Sequence, residues 1–357
     1  MHKDTGCNET TCGSSCDCGC SGCGGSEKNQ FSERMQALYD QGKTTEILAE
    51  CNKVLHETPE NSDGYFWRGV VAAVAGNFDQ ALADYNKAID LNPKKAAYYT
   101  YRGSAYAMTD DTANAVVDYS KAMLYDPANW LNYANRGVMY LNKNMYEHAI
   151  DDFTKAIELE PEDMGSYVNR GDAFAARNLF SVAIADYNKV LEQYPEETGV
   201  LIKRGQAYYE LGMNEEALRD YNKIIELEPD NITAVAIRAS IYLGQGKLDE
   251  AIADFTRAIE LDPRDSRPYF FRGVAEVANK DYPAAIADFD RSTTLNPDNT
   301  LAYYNKALCC EMQHRNDEAI AAYNEFISRA NPESTEARHA NERLKALDNT
   351  PGGTQIQ

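Results

Sequence analysis

Residues 62–95 read SDGYFWRGVVAAVAGNFDQALADYNKAIDLNPKK, and residues 96–129 read AAYYTYRGSAYAMTDDTANAVVDYSKAMLYDPAN. Set one above the other without a gap, they share Arg68-Gly69 with Arg102-Gly103, Ala81 with Ala115, Tyr85 with Tyr119 and Pro93 with Pro127. The proline recurs on both sides, at Pro59, Pro161, Pro195, Pro229, Pro263 and Pro297, always 34 residues apart. The basic-small pair returns at Arg136-Gly137, Arg170-Gly171, Arg204-Gly205, Arg238-Ala239, Arg272-Gly273 and Lys306-Ala307. Twelve residues later stands alanine, at Ala149, Ala183, Ala217, Ala251, Ala285 and Ala319. Four further on stands an aromatic, at Phe153, Tyr187, Tyr221, Phe255, Phe289 and Tyr323. Such phase over so much of the chain means one unit repeated.

Within a unit the apolar and small residues fall at helical spacing in two runs of about a dozen residues. A turn residue separates the runs: Gly76, Asp110, Asn144, Asn178, Gly212 or Gly246. Gly and Asn tolerate the left-handed conformation that ends a helix. The proline closes the second helix or opens the next unit, because it has no amide donor. Small residues on both helices let the backbones approach, and the aromatic fills the gap to the neighbouring pair. One pair cannot bury its apolar face alone, whereas stacked pairs can.

The 34-residue period with Gly, Ala, Tyr/Phe and Pro at these spacings resembles the tetratricopeptide repeat family, over residues 28 to about 333. The resemblance implies an all-α fold: an α-solenoid, a right-handed superhelix of about nine helix-turn-helix repeats plus a C-terminal capping helix. The implied units are a degenerate first repeat at 28–61, repeats at 62–95, 96–129, 130–163, 164–197, 198–231, 232–265 and 266–299, and an atypical last one at 300–333. In the first unit Met35, Ile47 and Cys51 replace Gly, Ala and Tyr. Residues 334–348 read as the capping helix, with Ser334 or Thr335 as N-cap and Ala340, Leu344 and Leu347 on one face. Residues 1–27 and 349–357 read as disordered tails.

The first-helix arginine of the period is matched by an acid 16 residues later: Arg34/Glu50, Arg68/Asp84, Arg102/Asp118, Arg136/Asp152, Arg170/Asp186, Arg204/Asp220, Arg238/Asp254 and Arg272/Asp288. In the last unit both partners change, to Lys306 and Ala322. The matched acids favour a structural ion-pair ladder over an exposed arginine stripe that grips acidic ligands.

The resemblance also implies a concave groove lined by each first helix, at positions around the glycine slot. In this sequence those positions hold Phe66, Trp67, Val70, Tyr101, Asn135, Val138, Asn169, Asp172, Lys203, Gln206, Phe270, Phe271 and Asn305. Relatives that clamp a chaperone's C-terminal carboxylate use Lys three residues before the glycine slot and Asn directly after it. No unit here carries either, so that clamp is rejected. The groove is apolar and aromatic at its ends and polar in the middle. Asn can both donate to and accept from an extended peptide backbone, and exposed aromatics suit anchor pockets. The competing reading puts the aromatics in the inter-repeat core.

Formal net charge is −21. Such a surface repels phosphate backbones and anionic headgroups, so a protein or peptide partner is expected rather than nucleic acid or membrane. The longest small-apolar stretch, Val70 to Ala75, is far short of the ~20 residues a bilayer requires. No apolar run follows Met1, so no signal peptide is expected. Of nine cysteines, all but Cys51, Cys309 and Cys310 lie in the N-terminal tail. The body has no disulfide framework on this count, and a cytoplasmic setting is expected.

The tail cysteines are Cys7, Cys12, Cys16, Cys18, Cys20 and Cys23, among Gly, Ser and Thr. Their closing spacing resembles metallothionein-like tails, and flexible thiolates can wrap Zn²⁺ or Cu⁺. The equal alternative is a Gly/Ser-rich tail whose thiols stay free or oxidise. No phosphate loop, nucleophile elbow or HExxH pattern is present, so no enzyme is expected. The expected function is an adaptor or scaffold that binds a partner's segment in the groove. The alternatives are a metal-handling protein docked by its repeats, and self-association through the end repeats.

Overall fold

A computed structural model describes residues 23–348, with side chains over 30–347. The described residues form nineteen helices and no strand. They fall into two compact units divided between Glu162 and Asp163. The first holds α1 (Cys23–Asp40), α2 (Thr44–Glu57), α3 (Ser62–Val74), α4 (Phe78–Leu91), α5 (Ala96–Met108), α6 (Thr112–Tyr125), α7 (Trp130–Asn142) and α8 (Tyr146–Leu159). The second holds α9 (Met164–Ala176), α10 (Phe180–Gln193), α11 (Thr198–Glu210), α12 (Asn214–Leu227), α13 (Ile232–Gly244) and α14 (Leu248–Leu261). It continues through α15 (Ser266–Ala278), α16 (Tyr282–Leu295), α17 (Thr300–Met312), α18 (Asn316–Arg329) and α19 (Thr335–Asp348). Within each unit the fold is an all-α solenoid: helices pack on their sequence neighbours, and alternate helices such as α3 and α5, or α13 and α15, also touch.

Local chemistry sets the helix ends. Asn61 accepts from the Gly64 amide, Asp111 from Asn114, Asn231 from Ala234 and Asp281 from Ala284, each satisfying an amide that has no partner within its helix. The slot between paired helices takes positive φ throughout: 76° at Gly76, 59° at Asp110, 57° at Asn144, and also 64° at Lys280 and 58° at His314. The last two depart from the usual Gly/Asn chemistry. The tight turn decides the conformation there, at a steric cost that packing must offset.

Packing then follows the repeat. Ala81, Ala149, Ala217 and Ala285 are wholly buried, as are Tyr85, Phe153, Tyr221 and Phe289 four residues on. The approach is tight: a Cβ added at Gly171 would lie 2.6 Å from Tyr187 Cε1. In the degenerate first pair Met35 takes the glycine slot and Cys51 the aromatic slot, and both are fully buried. Large and small have changed places, which conserves volume at the contact. At the other end Ser334 caps α19, its hydroxyl accepting from the Ala337 amide, and Ala340 and Leu347 are buried.

One boundary moves. Helix α1 starts at Cys23 rather than at residue 28, so the backbone of 23–27 is helical and not part of an unstructured tail. Cys7, Cys12, Cys16, Cys18 and Cys20, with the closing segment 349–357, lie outside the described residues. No described helix is long and apolar enough to cross a membrane.

Candidate functional site

The arginine slot sits on the first helix of each pair, facing the second. Arg204 donates from Nε and Nη2 to the two carboxylate oxygens of Asp220, at 2.8 and 2.6 Å. Arg102 with Asp118, Arg136 with Asp152, Arg170 with Asp186, Arg238 with Asp254 and Arg272 with Asp288 repeat this fork, as does Arg68 with Asp84. The acids are almost wholly buried, and the arginines are about one fifth exposed. Arg34 and Glu50 make one contact of 2.7 Å in a more open setting.

A second arm was not anticipated. The remaining Nη1 of Arg102 reaches back to Asn86, that of Arg136 to Ser120, Arg204 to Asn188, Arg238 to Asn222 and Arg272 to Thr256, at 2.5–2.9 Å. Each of these guanidiniums therefore ties three helices from two successive pairs. Lys306, with Ala322 where an acid would stand, keeps only the backward arm, to Asp290 at 2.5 Å. The signal was in the sequence: a polar residue directly follows each aromatic of the period. Every nitrogen of these five forks is thus engaged within the repeat stack, the arrangement of a structural ladder.

The residues expected in the groove divide three ways. Phe66, Trp67 and Val70 are buried, at 5%, 3% and 2% exposure. The physical reason is an aromatic cluster: Phe66 rests on Trp67, Tyr98 and Tyr101, and Trp67 on Tyr39. With α1 against α3, this end is core. Tyr101, Asn135, Val138, Asn169, Asp172, Lys203, Gln206, Phe270 and Asn305 are half-buried. Asn305 spends its amide on the Leu301 carbonyl of its own helix, and Gln206 on Glu210. Phe271 is exposed, at 40%.

Two hollows in the second unit adjoin. One, of about 330 Å³, is walled by Asp172, Phe180, Tyr187, Ile202, Lys203 and Gln206 and closes on Thr233 and Ile237. The next, of about 260 Å³, opens from the same Thr233 and Ile237 toward Phe255, Asp265, Arg267 and Phe271. Asp172 sits among apolar walls, ion-paired to Lys203 and accepting from the Tyr187 hydroxyl at 2.9 Å. That burial, with Asp172 beside it, pushes the Tyr187 phenol well above its ordinary range. The first unit has a smaller hollow of about 240 Å³, lined by Tyr39, Val70, Phe78, Tyr101 and Met108 among others.

Profiles of the tetratricopeptide repeat match residues 202–266, 238–299 and 270–335, and also 62–95 and 133–163. The chain belongs to the tetratricopeptide repeat family. No curated protein matches its sequence. Similar solved structures include a tetratricopeptide repeat protein from Parabacteroides merdae, with a TM-score of 0.52 and 21% identity, covering 71% of this chain and 99% of that one. The C-terminal part of a TPR repeat-containing protein from Cytophaga hutchinsonii gives a TM-score of 0.58 and 21% identity, covering 66% and 97%. At this identity the likeness is one of fold.

Two departures from the tetratricopeptide period carry unusual chemistry. Among the described residues no three His, Cys, Asp or Glu side chains form a metal-holding group. Cys51, Cys309 and Cys310 are free and buried, and burial raises their thiols, Cys51 and Cys309 to about 12. The other departure is Glu276, which stands where tetratricopeptide neighbours place Tyr106, Tyr140, Tyr208 and Tyr242 beside the ladder arginine. Glu276 is 9% exposed, and its Oε2 has no partner among the described residues. Burial, then the Asp288 charge, push its carboxyl from 4.5 to about 7 against the pull of Arg272. The folded chain therefore holds this proton more tightly than the unfolded one. Stability is present below pH 4.5 and is lost as pH rises toward 7. Glu276→Gln should therefore stabilise the second unit by about 3 kcal/mol at pH 8, shrinking toward zero near pH 4.5. Urea unfolding at the two pH values checks this, and an equal gain at both would exclude it.

Proposed function

We propose that this tetratricopeptide repeat chain is a non-catalytic protein-binding scaffold, receiving an extended partner segment along α9, α11, α13 and α15. One observation supports this above the others: the two hollows share Thr233 and Ile237, so the first-helix face of the second unit offers one continuous trough. Its walls are mainly apolar, with a few fixed polar groups such as the Asp172–Lys203 pair, the pattern of a site that orients a ligand. Asn169, on α9, is half-buried, and its amide makes no hydrogen bond within the described residues, which suits it to a partner's backbone. Glu276, the one strongly raised carboxyl among the described residues, lines neither hollow.

A random twelve-residue display library panned on the intact chain provides the test. The chain should select peptides. Thr233→Trp, a bulky side chain at an exposed position on the shared wall, should weaken them by about tenfold or more, equal to 1.4 kcal/mol. Selected peptides that bind Thr233→Trp as tightly as the parent would place recognition elsewhere.

A further inference from the structure

We propose that the hollow between α13 and α15 reads arginine: it takes the guanidinium of a basic partner segment between the ring of Phe271 and the carboxylate of Asp265. This rests on the trough being the binding surface and names the chemistry it selects.

The ring is presented as a fixed platform. Phe271 is 40% exposed yet stacked on Phe255, with centroids 6.0 Å apart and planes 15° from parallel. A planar cation gains both stacking and cation–π attraction on such a face. The wall carboxylate already meets a guanidinium. Asp265 accepts from Arg267 Nε at 3.0 Å on each oxygen and from Nη2 at 2.7 Å. Arg267 is two residues away and its side chain is 81% exposed, whereas that of Asp265 is 17% exposed. A guanidinium so open to water gains little from its pairing and is readily exchanged. Arg267 thus acts as a placeholder that an incoming arginine displaces.

The combination is confined to one repeat. The slot of Phe271 holds Trp67, Tyr101, Asn135, Asn169, Lys203, Ile237 and Asn305 elsewhere, with Trp67 buried and Tyr101 half-buried. The slot of Asp265 holds Asn61, Lys95, Asn129, Asp163, Glu197, Asn231 and Asn299. Only the pair at 265 and 271 joins an acid to an exposed aromatic. A chain of net charge −21 also draws basic segments toward it at low salt. Arginine is favoured over lysine because only the flat fork can stack and bond side-on together.

The twelve-residue library on the intact chain decides the matter. Selected peptides should be enriched in arginine, and arginine-to-lysine replacement should weaken one by about tenfold. Phe271→Ala and Asp265→Asn should weaken it similarly. Asn at this slot already caps α3, α7 and α13, so Asp265→Asn keeps the helix start. Arg267→Ala should tighten binding, which a merely structural Asp265–Arg267 pair would not do. Peptides that depend on Thr233 but carry no arginine, or that bind Asp265→Asn unchanged, overturn the arginine site and leave the trough standing. If no peptide is selected, both readings fall.

Discussion

Asp220→Ala is expected to cost roughly 3–5 kcal/mol, because it strands the Arg204 guanidinium in a place built for a paired charge. Asp220 is 4% exposed, and it receives both the Nε and Nη2 of Arg204. Water reaches Arg204 only in part, so solvation cannot replace the lost carboxylate. The third nitrogen remains bonded to Asn188. The damage should therefore concentrate where α11 meets α12, with the contact to α10 retained. Stacked repeats unfold in part, and one global midpoint would blur this. Hydrogen exchange of the α11 and α12 amides is the proper readout, and both should lose protection. Leucine at both 204 and 220 should recover much of the loss, since removing a buried pair together is far cheaper than removing one member. If Asp220→Ala changes exchange by less than about 1 kcal/mol, the ladder is no more than a surface decoration.

Phe289→Ala should cost a similar amount, about 3–5 kcal/mol, by a different cause. The ring is wholly buried, rests against Phe270 at 5.9 Å and fills the space over Gly273. A Cβ at Gly273 would stand 2.9 Å from Phe289 Cε1. Gly273→Ala alone should therefore destabilise by about 1–3 kcal/mol through overpacking. In the Phe289→Ala background that penalty should vanish, because the clashing ring is gone. The double-mutant cycle, followed by urea unfolding, should show strong coupling. Additive costs would mean that the small and aromatic slots do not share one contact.

Much of this protein was legible in its sequence because repetition converts weak local preferences into a strong signal. The Arg–acid spacing, the left-handed turns at Gly76, Asp110 and Asn144, and the small-to-aromatic contact all recur in phase. The groove was less legible. Phe66, Trp67 and Phe271 stand at related slots and look alike in one dimension, yet two are buried and one is exposed. What distinguishes them is the neighbour: the first two are enclosed by Tyr39 from α1 and by Tyr98 and Tyr101 from α5.

By itself, then, the order of residues determined the helix pairs, their period and the ion-pair partners, since these are set by spacing along one or two adjacent helices. Tertiary structure alone decided which aromatics face solvent and which hollows adjoin. It also decided that Glu276, an acid in a tyrosine slot, lies buried beside Asp288 and Arg272. Exposure and proton affinity depend on every group packed around a side chain, and those groups come from neighbouring helices as well as from its own.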